Sequence, residues 1–233
     1  MLSWRTCFLA IVTGVLTTSA TPYLDEGQSL LNGTGLKALP GVVTVPTQWF
    51  VARSEADHQS DLDDLPPNGW RLASLSVYGT PPDHRYATVW VQRPGPIQQT
   101  AIAVDGPSFD SWRNYWTAQG YVPVILTITG DINAGLVSAA VLEKISVTSW
   151  NIVSDLSKTN FDNAAASARN SQQKMVSIDQ YNTFSEPWFC AVFHYNQNND
   201  GWSYNRDQSL TAAQSTLRSE TTKPYWRPIF LKP

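Results

Sequence analysis

The sequence predicts an α+β fold built from about three and a half tandem units of ~52 residues, each a helix followed by a β-hairpin. Pairing of the N- and C-terminal strands is expected to close these units into a propeller-like or superhelical array. Three observations lead there. The segment Gly69–Gly79 lies over Gly120–Gly130 without a gap, and a further copy starts at Lys174, 52 residues after Val122. The stretches between these copies recur as well, with Ser108-Phe109-Asp110-Ser111 matching Asn160-Phe161-Asp162-Asn163. Finally, aromatic residues make up 12% of the chain and charged ones only 15%, a balance that belongs to a folded chain with an apolar core.

Residues 1–20 read as an export signal: Arg5 gives the positive start, Cys7 to Val15 the apolar run, and Thr18-Ser19-Ala20 the small residues before cleavage. That run is shorter than the ~20 apolar residues a membrane span requires, so no membrane association is expected after cleavage. Residues 21–40 form an N-terminal lead segment and residues 41–233 the tandem-repeat domain. Asn32-Gly33-Thr34 is a glycosylation acceptor, consistent with a secreted, extracellular glycoprotein. The whole chain carries a net charge of −3, which offers no basic footprint for nucleic acid. Cys190 would be the lone cysteine of the mature chain, so stability is expected from core packing rather than a disulfide.

Within the repeat domain, Gly41 to Arg53, containing Trp49-Phe50-Val51, reads as a strand preceding the first complete unit. The helix slot of that unit is His58 to Leu65, shortened by Pro66-Pro67. In the second unit Ser108 is the expected N-cap, Phe109, Trp112 and Trp116 the apolar face, and Gly120 the stop. Asn160 takes the capping role in the third unit, whose helix carries the smaller Ala164, Ala165, Ala166 and Ala168. A fourth helix is expected from Ser209. Tyr86–Gln92, Val137–Leu142 and Phe189–Tyr195 are apolar at nearly every position, the pattern of strands covered on both faces. A final partial copy, Tyr225 to Leu231, supplies one strand, and closure would bring residues 45–52 against residues 226–231. A unit of this size cannot bury its own apolar surface, so neighbouring copies must share cores.

At residues 71–96, and again at residues 177–196, the chain resembles the tandem repeats in the N-terminal domain of fungal polyglycine hydrolases, and related repeats of bacterial secreted proteins. A Tyr-Gly turn and a Tyr-Ala-x-Val-Trp strand carry the likeness, which covers roughly residues 41–233. In those fungal enzymes the repeat domain precedes a serine β-lactamase-like domain that cuts the glycine-rich linker of plant chitinases. Such a domain needs over two hundred residues, and the sequence ends at Pro233. The resemblance therefore implies a secreted repeat module with no activity carried over, and the expected function is that of a non-catalytic module that recognises an extracellular protein or cell-wall target. The alternative is a stand-alone or truncated relative of a secreted serine endopeptidase that retains only its repeat domain.

Several residues invite a chemical reading. Ser171-Gln172-Gln173-Lys174 has the Ser-x-x-Lys spacing of serine acyl-enzymes, where the amine must sit one helical turn from the hydroxyl. The repeat instead places Ser171 after a helix and Lys174 at a strand start, and no Lys-Thr-Gly follows. His58 among Asp57, Asp61, Asp63 and Asp64 hints at a cation site, but the ligand spacing of a calcium loop is missing and a solvated acidic turn is the simpler account. His194 takes the register position of the aliphatic Val91 and Leu142. Together with Trp188 and Trp202 it forms the candidate binding set for a glycan or peptide, set against an ordinary buried histidine beside a polar turn. No Gly-rich phosphate loop, Cys/His metal set or Gly-x-Ser-x-Gly elbow occurs, so neither a catalytic residue nor a metal or cofactor is expected.

Overall fold

A computed structural model describes residues 45–131, 135–182, 186–202, 204–205 and 229–230. The export signal, the lead segment, Asn32 and the helix expected from Ser209 lie outside the described residues. Among the described residues the chain is mostly β, with 50% strand and 26% helix. This corrects the sequence expectation. The units are not helix-plus-hairpin repeats, because each carries a third strand ahead of its helix.

The first unit runs β1 (Thr47–Arg53), α1 (Glu55–Asp64), a 3-10 turn (Pro66–Asn68), β2 (Trp70–Tyr78) and β3 (Arg85–Gln92). The second runs β4 (Gln98–Val104), α2 (Gly106–Ala118), β5 (Val122–Asp131) and β6 (Gly135–Glu143), and the third β7 (Trp150–Leu156), α3 (Lys158–Asn170), β8 (Gln173–Asn182) and β9 (Pro187–Tyr195). Each unit folds into one three-stranded antiparallel sheet in which the last strand lies between the other two: β1-β3-β2, β4-β6-β5 and β7-β9-β8. The two outer strands are therefore parallel to each other and need a crossover, which the helix supplies. β3, β6 and β9 are hydrogen-bonded on both edges and buried along most of their length, which accounts for their unbroken apolar sequences.

Expected closure between residues 45–52 and 226–231 is also overturned. Among the described residues β1 pairs only with β3, and Ile229–Phe230 (β11) pairs in parallel with Tyr204–Asn205 (β10). Among the described residues no closed barrel forms.

The strands ahead of the helices, of which the sequence predicts only the one within Gly41 to Arg53, carry an irregularity that hides their alternation. In β1, β4 and β7 the pairing slips at one residue with positive φ: Ala52 (56°), Ala103 (53°) and Asp155 (55°). A bulge there turns the chain out of the sheet. Two residues later comes the helix cap: Ser54, Asp105 and Ser157 accept from the N–H of Asp57, Ser108 and Asn160. The caps thus sit three residues before the expected Ser108 and Asn160. The strained residues are held by phenols. The Tyr78 hydroxyl accepts from Ala52 N–H at 2.9 Å and the Tyr181 hydroxyl from Asp155 N–H at 2.7 Å. In the second unit Thr129 occupies the tyrosine's position and instead bonds the Gly79 carbonyl at 2.6 Å, while Tyr86 of the first unit reaches the Ala103 backbone.

Each apolar core belongs to two units. Leu72, Leu75, Val77, Tyr86 and Trp90 pack on Ala139 and Val141 of the second unit. Phe109, Tyr121, Leu126, Ile128 and Leu142 pack on Tyr181, Cys190 and Val192 of the third. Phe161, Phe189 and Phe193 are covered by Trp202 and Tyr204. Polar side chains tie the same seams. Val77 N–H donates to the Thr127 hydroxyl at 3.1 Å, which donates to the Asp179 carboxylate, and that carboxylate also accepts from Ile128 N–H at 3.0 Å. Ser177 accepts from Leu126 N–H at 3.2 Å. All of these groups are buried, so each bond replaces hydration that the inner strands have lost.

Asp179→Ala removes the carboxylate that accepts from the Thr127 hydroxyl and the Ile128 N–H and is expected to cost about 3 kcal/mol. Thr127→Val is expected to cost about 1–2 kcal/mol. Urea denaturation of both single variants and the double variant should return a coupling energy well above the ~0.5 kcal/mol scatter of independent sites. Simple additivity would mean that the chain of bonds across the seams does not act as one unit.

Candidate functional site

The three residues of the expected binding set lie on the third unit, and each is engaged in the fold. His194 is buried, and its Nε2 lies 2.6 Å from the Pro123 carbonyl of the second unit. A carbonyl can only accept, so Nε2 carries the proton. The reason lies in the repeat. Leu72, which holds the same position in the first unit, has both backbone groups paired by the Gln98 side-chain amide at 2.9 Å. Proline lacks the N–H, so Pro123 needs only a donor, and His194 supplies it. Burial lowers the His194 pKa, the bond to Pro123 opposes that shift, and nearby Lys174 adds to it.

Trp202 donates its indole N–H to the Gln173 carbonyl at 3.0 Å, packs against Phe193 and lies under the Arg169 guanidinium at 4.3 Å. Trp188 packs against the core shared by the second and third units. It pairs across the strands with Tyr181, whereas His194 pairs with Lys174 at the other end of the same hairpin, so the three do not converge on one surface. Cys190 is a buried thiol facing the Leu126 carbonyl at 4.0 Å.

Ser171 caps the C-terminus of α3, and Lys174 lies on β8 with its amine 3.0 Å from Asp200. The pair is not spaced along one helical turn, so the geometry in which a lysine amine takes a seryl proton is not built at this position. The acidic run around His58 is a helix rather than a solvated turn. Ser54 and Asp57 form a reciprocal capping box, Asp61 pairs with Arg53, and Asp63 accepts from Gln59 at 2.9 Å. Among the described residues no three His, Cys, Asp or Glu side chains are grouped to hold a metal ion.

Two features escaped the sequence reading. The first is a buried aromatic cluster beneath α1. His58 is fully buried and stacks on Tyr86 with ring centroids 4.7 Å apart, and His84 Nε2 lies 3.1 Å from the Tyr86 hydroxyl. Neither ring nitrogen of His58 has a hydrogen-bond partner. Burial pushes the Tyr86 phenol up to about 12. The second is the exposed face of β1, a strand that the sequence does predict but places ahead of the first unit. Among the described residues β1 is the outer edge of the first sheet, and Trp49 and Val51, which alternate onto one face, are 46% and 49% exposed. Large apolar side chains on an open strand edge are unusual in a chain that meets only water. Reading the bulge at Ala52 would have placed both on the outer strand of a complete unit.

A strand, a bulge, a capped crossover helix and a hairpin whose last strand enters the middle of the sheet recur three times, and this defines a tandem structural-repeat protein. The first two units are matched individually, at residues 53–93 and 96–144, by the family described as polyglycine hydrolase-like, structural repeat. The third unit has the same strand order and the same two bulges.

His194→Ala removes the donor to Pro123 and is expected to destabilise the chain by about 2 kcal/mol in urea denaturation. Ser171→Ala should change stability by no more than about 0.5 kcal/mol. Equal effects of the two would contradict a seam role for His194 and a dispensable one for the Ser171 side chain.

Proposed function

We propose that the chain is a secreted, non-catalytic recognition module that binds an extended segment of an extracellular protein along the outer edge of its first sheet. The observation that carries this reading is β1, an edge strand whose Trp49 and Val51 stand in solvent. An extended peptide can pair with the open edge through main-chain hydrogen bonds, while Trp49 adds apolar area and an indole donor. The polyglycine hydrolase-like character of the first two units supports a role in recognition, since it is the repeat and not a hydrolase that they match. The engagement of Ser171, Lys174 and His194 in caps, ion pairs and seams also favours binding over catalysis. Trp202 suits a lectin-like role less well, because its indole N–H and ring face are already occupied.

The test is a binding and cleavage experiment on the full secreted chain with a fluorescent glycine-rich peptide. Binding without cleavage is expected, weakened roughly tenfold or more by Trp49→Ser, an edge residue whose loss leaves the core intact. Cleavage of the peptide by the pure chain would favour the endopeptidase relative. Binding that ignores Trp49→Ser would move the site away from β1.

A further inference from the structure

The repeat exposes an exchange in the first unit. His58, Phe109 and Phe161 each stand four residues after their helix cap, and each donates its backbone N–H to the cap carbonyl, at 2.9, 2.8 and 2.8 Å. Phe161 stacks on Phe189 of the middle strand at 5.1 Å and 30°, and His58 stacks on Tyr86 at 4.7 Å and 32°. Unit one therefore holds a His–Tyr stack where unit three holds a Phe–Phe stack. A phenyl ring needs no polar partner in a dry site. An imidazole does, yet both His58 nitrogens lack one, as does His84 Nδ1 beside it.

We infer that the His58–Tyr86 stack is an acid-released latch, and that protonation of His58 frees α1 from the first sheet and loosens its seam with the second unit. A protonated ring would carry two buried N–H donors with nothing to receive them. The charged and titratable groups around it give little relief. On its own helix Asp61 is already held by Arg53, and Glu55 stands beside His84, 3.7 Å away. Arg53, from β1, repels a second cation. From β3 and the turn before it come Tyr86 and His84, already bonded to each other. Tyr86 also reaches the Ala103 backbone, so a disturbance at this stack is felt in the second unit.

α1 is well placed to leave. Its sequence Glu55–Asp64 buries His58 and the ion-paired Asp61 and adds one apolar side chain, the part-buried Leu62, with Leu65 just beyond, whereas α2 contributes Phe109, Trp112 and Trp116. Burial is the main cause that lowers the His58 pKa from 6.5 to about 4, with Asp61 opposing and Arg53 adding. A depressed folded pKa means the closed latch is fully favoured above pH 6.5, and that opening becomes easier as pH falls from there to about 4. Between pH 7 and pH 4.5 the opening equilibrium should shift on the order of 50-fold. His194 gives a built-in contrast, since protonation leaves its bond to Pro123 intact.

Hydrogen exchange of the full chain at pH 7 and pH 4.5, corrected for intrinsic rates, tests the latch. Amides of residues 58–65 should lose at least roughly tenfold of their protection at the lower pH while those of α3 keep theirs. His58→Phe, the residue the other units already use, should hold α1 closed at both values. Equal protection of α1 at pH 7 and 4.5, or the same loss in His58→Phe, would overturn the proposal. Should that variant misfold by circular dichroism, the ring resonances of His58 in the native chain decide. Titration in step with α1 opening upholds the latch, and opening without titration of His58 sinks it.

Discussion

The structure depends on how the inner edges of its sheets are satisfied. Because the last strand of each unit sits in the middle, β2 and β5 are edge strands that nonetheless lie in the interior, against the next unit. Their backbone groups have lost water and have no strand on that side. A buried donor left unpaired costs about 1–3 kcal/mol, a large share of what a domain has in hand. The neighbouring unit meets this need with side chains: Gln98 for Leu72, Thr127 for Val77, Ser177 for Leu126, Asp179 for Ile128 and His194 for Pro123. Polar residues embedded in apolar strands are thus joints between units. The same constraint makes a lone unit untenable, since it would present both a bare core face and a row of unpaired backbone groups.

What the sequence could and could not reveal follows from this arrangement. The middle strands were legible because burial on every side leaves an unbroken apolar run, as in Phe189-Cys190-Ala191-Val192-Phe193. Of the strands ahead of the helices, the first was legible within Gly41 to Arg53, but β4 and β7 were not, since the bulges at Ala103 and Asp155 shift the inside–outside alternation partway along each one. Helix caps were misplaced by one turn for a related reason: Asp105 and Ser157 lie directly after those bulges, in segments not recognised as ordered. Aligning the true caps places His58 over Phe109 and Phe161, a correspondence that periodicity within the acidic α1 could not show. His194 did stand out as a titratable ring in an aliphatic column. Nothing in the sequence pattern announced that a proline carbonyl 71 positions away required a donor.

The units are equivalent in topology but not in chemistry, and the first departs most. Its helix is acidic, its central stack pairs two polar rings where the third unit pairs phenyls, and its outer strand displays apolar side chains. End units of a repeat array are released from the demand to pack on both sides, so they are free to diverge. In this chain the divergence places an exposed strand and a proton-sensitive interior within the same fifty residues.

The strand order also governs how such a chain can be assembled as it leaves the ribosome. In every unit the two outer strands and the crossover helix emerge first, and the strand that joins them arrives last. Until it does, the outer strands have no partner strand from their own unit. Each unit therefore passes through a stage in which its middle slot is empty and receptive. Any other unpaired strand within reach, from the same polypeptide or a neighbouring one, competes for that slot.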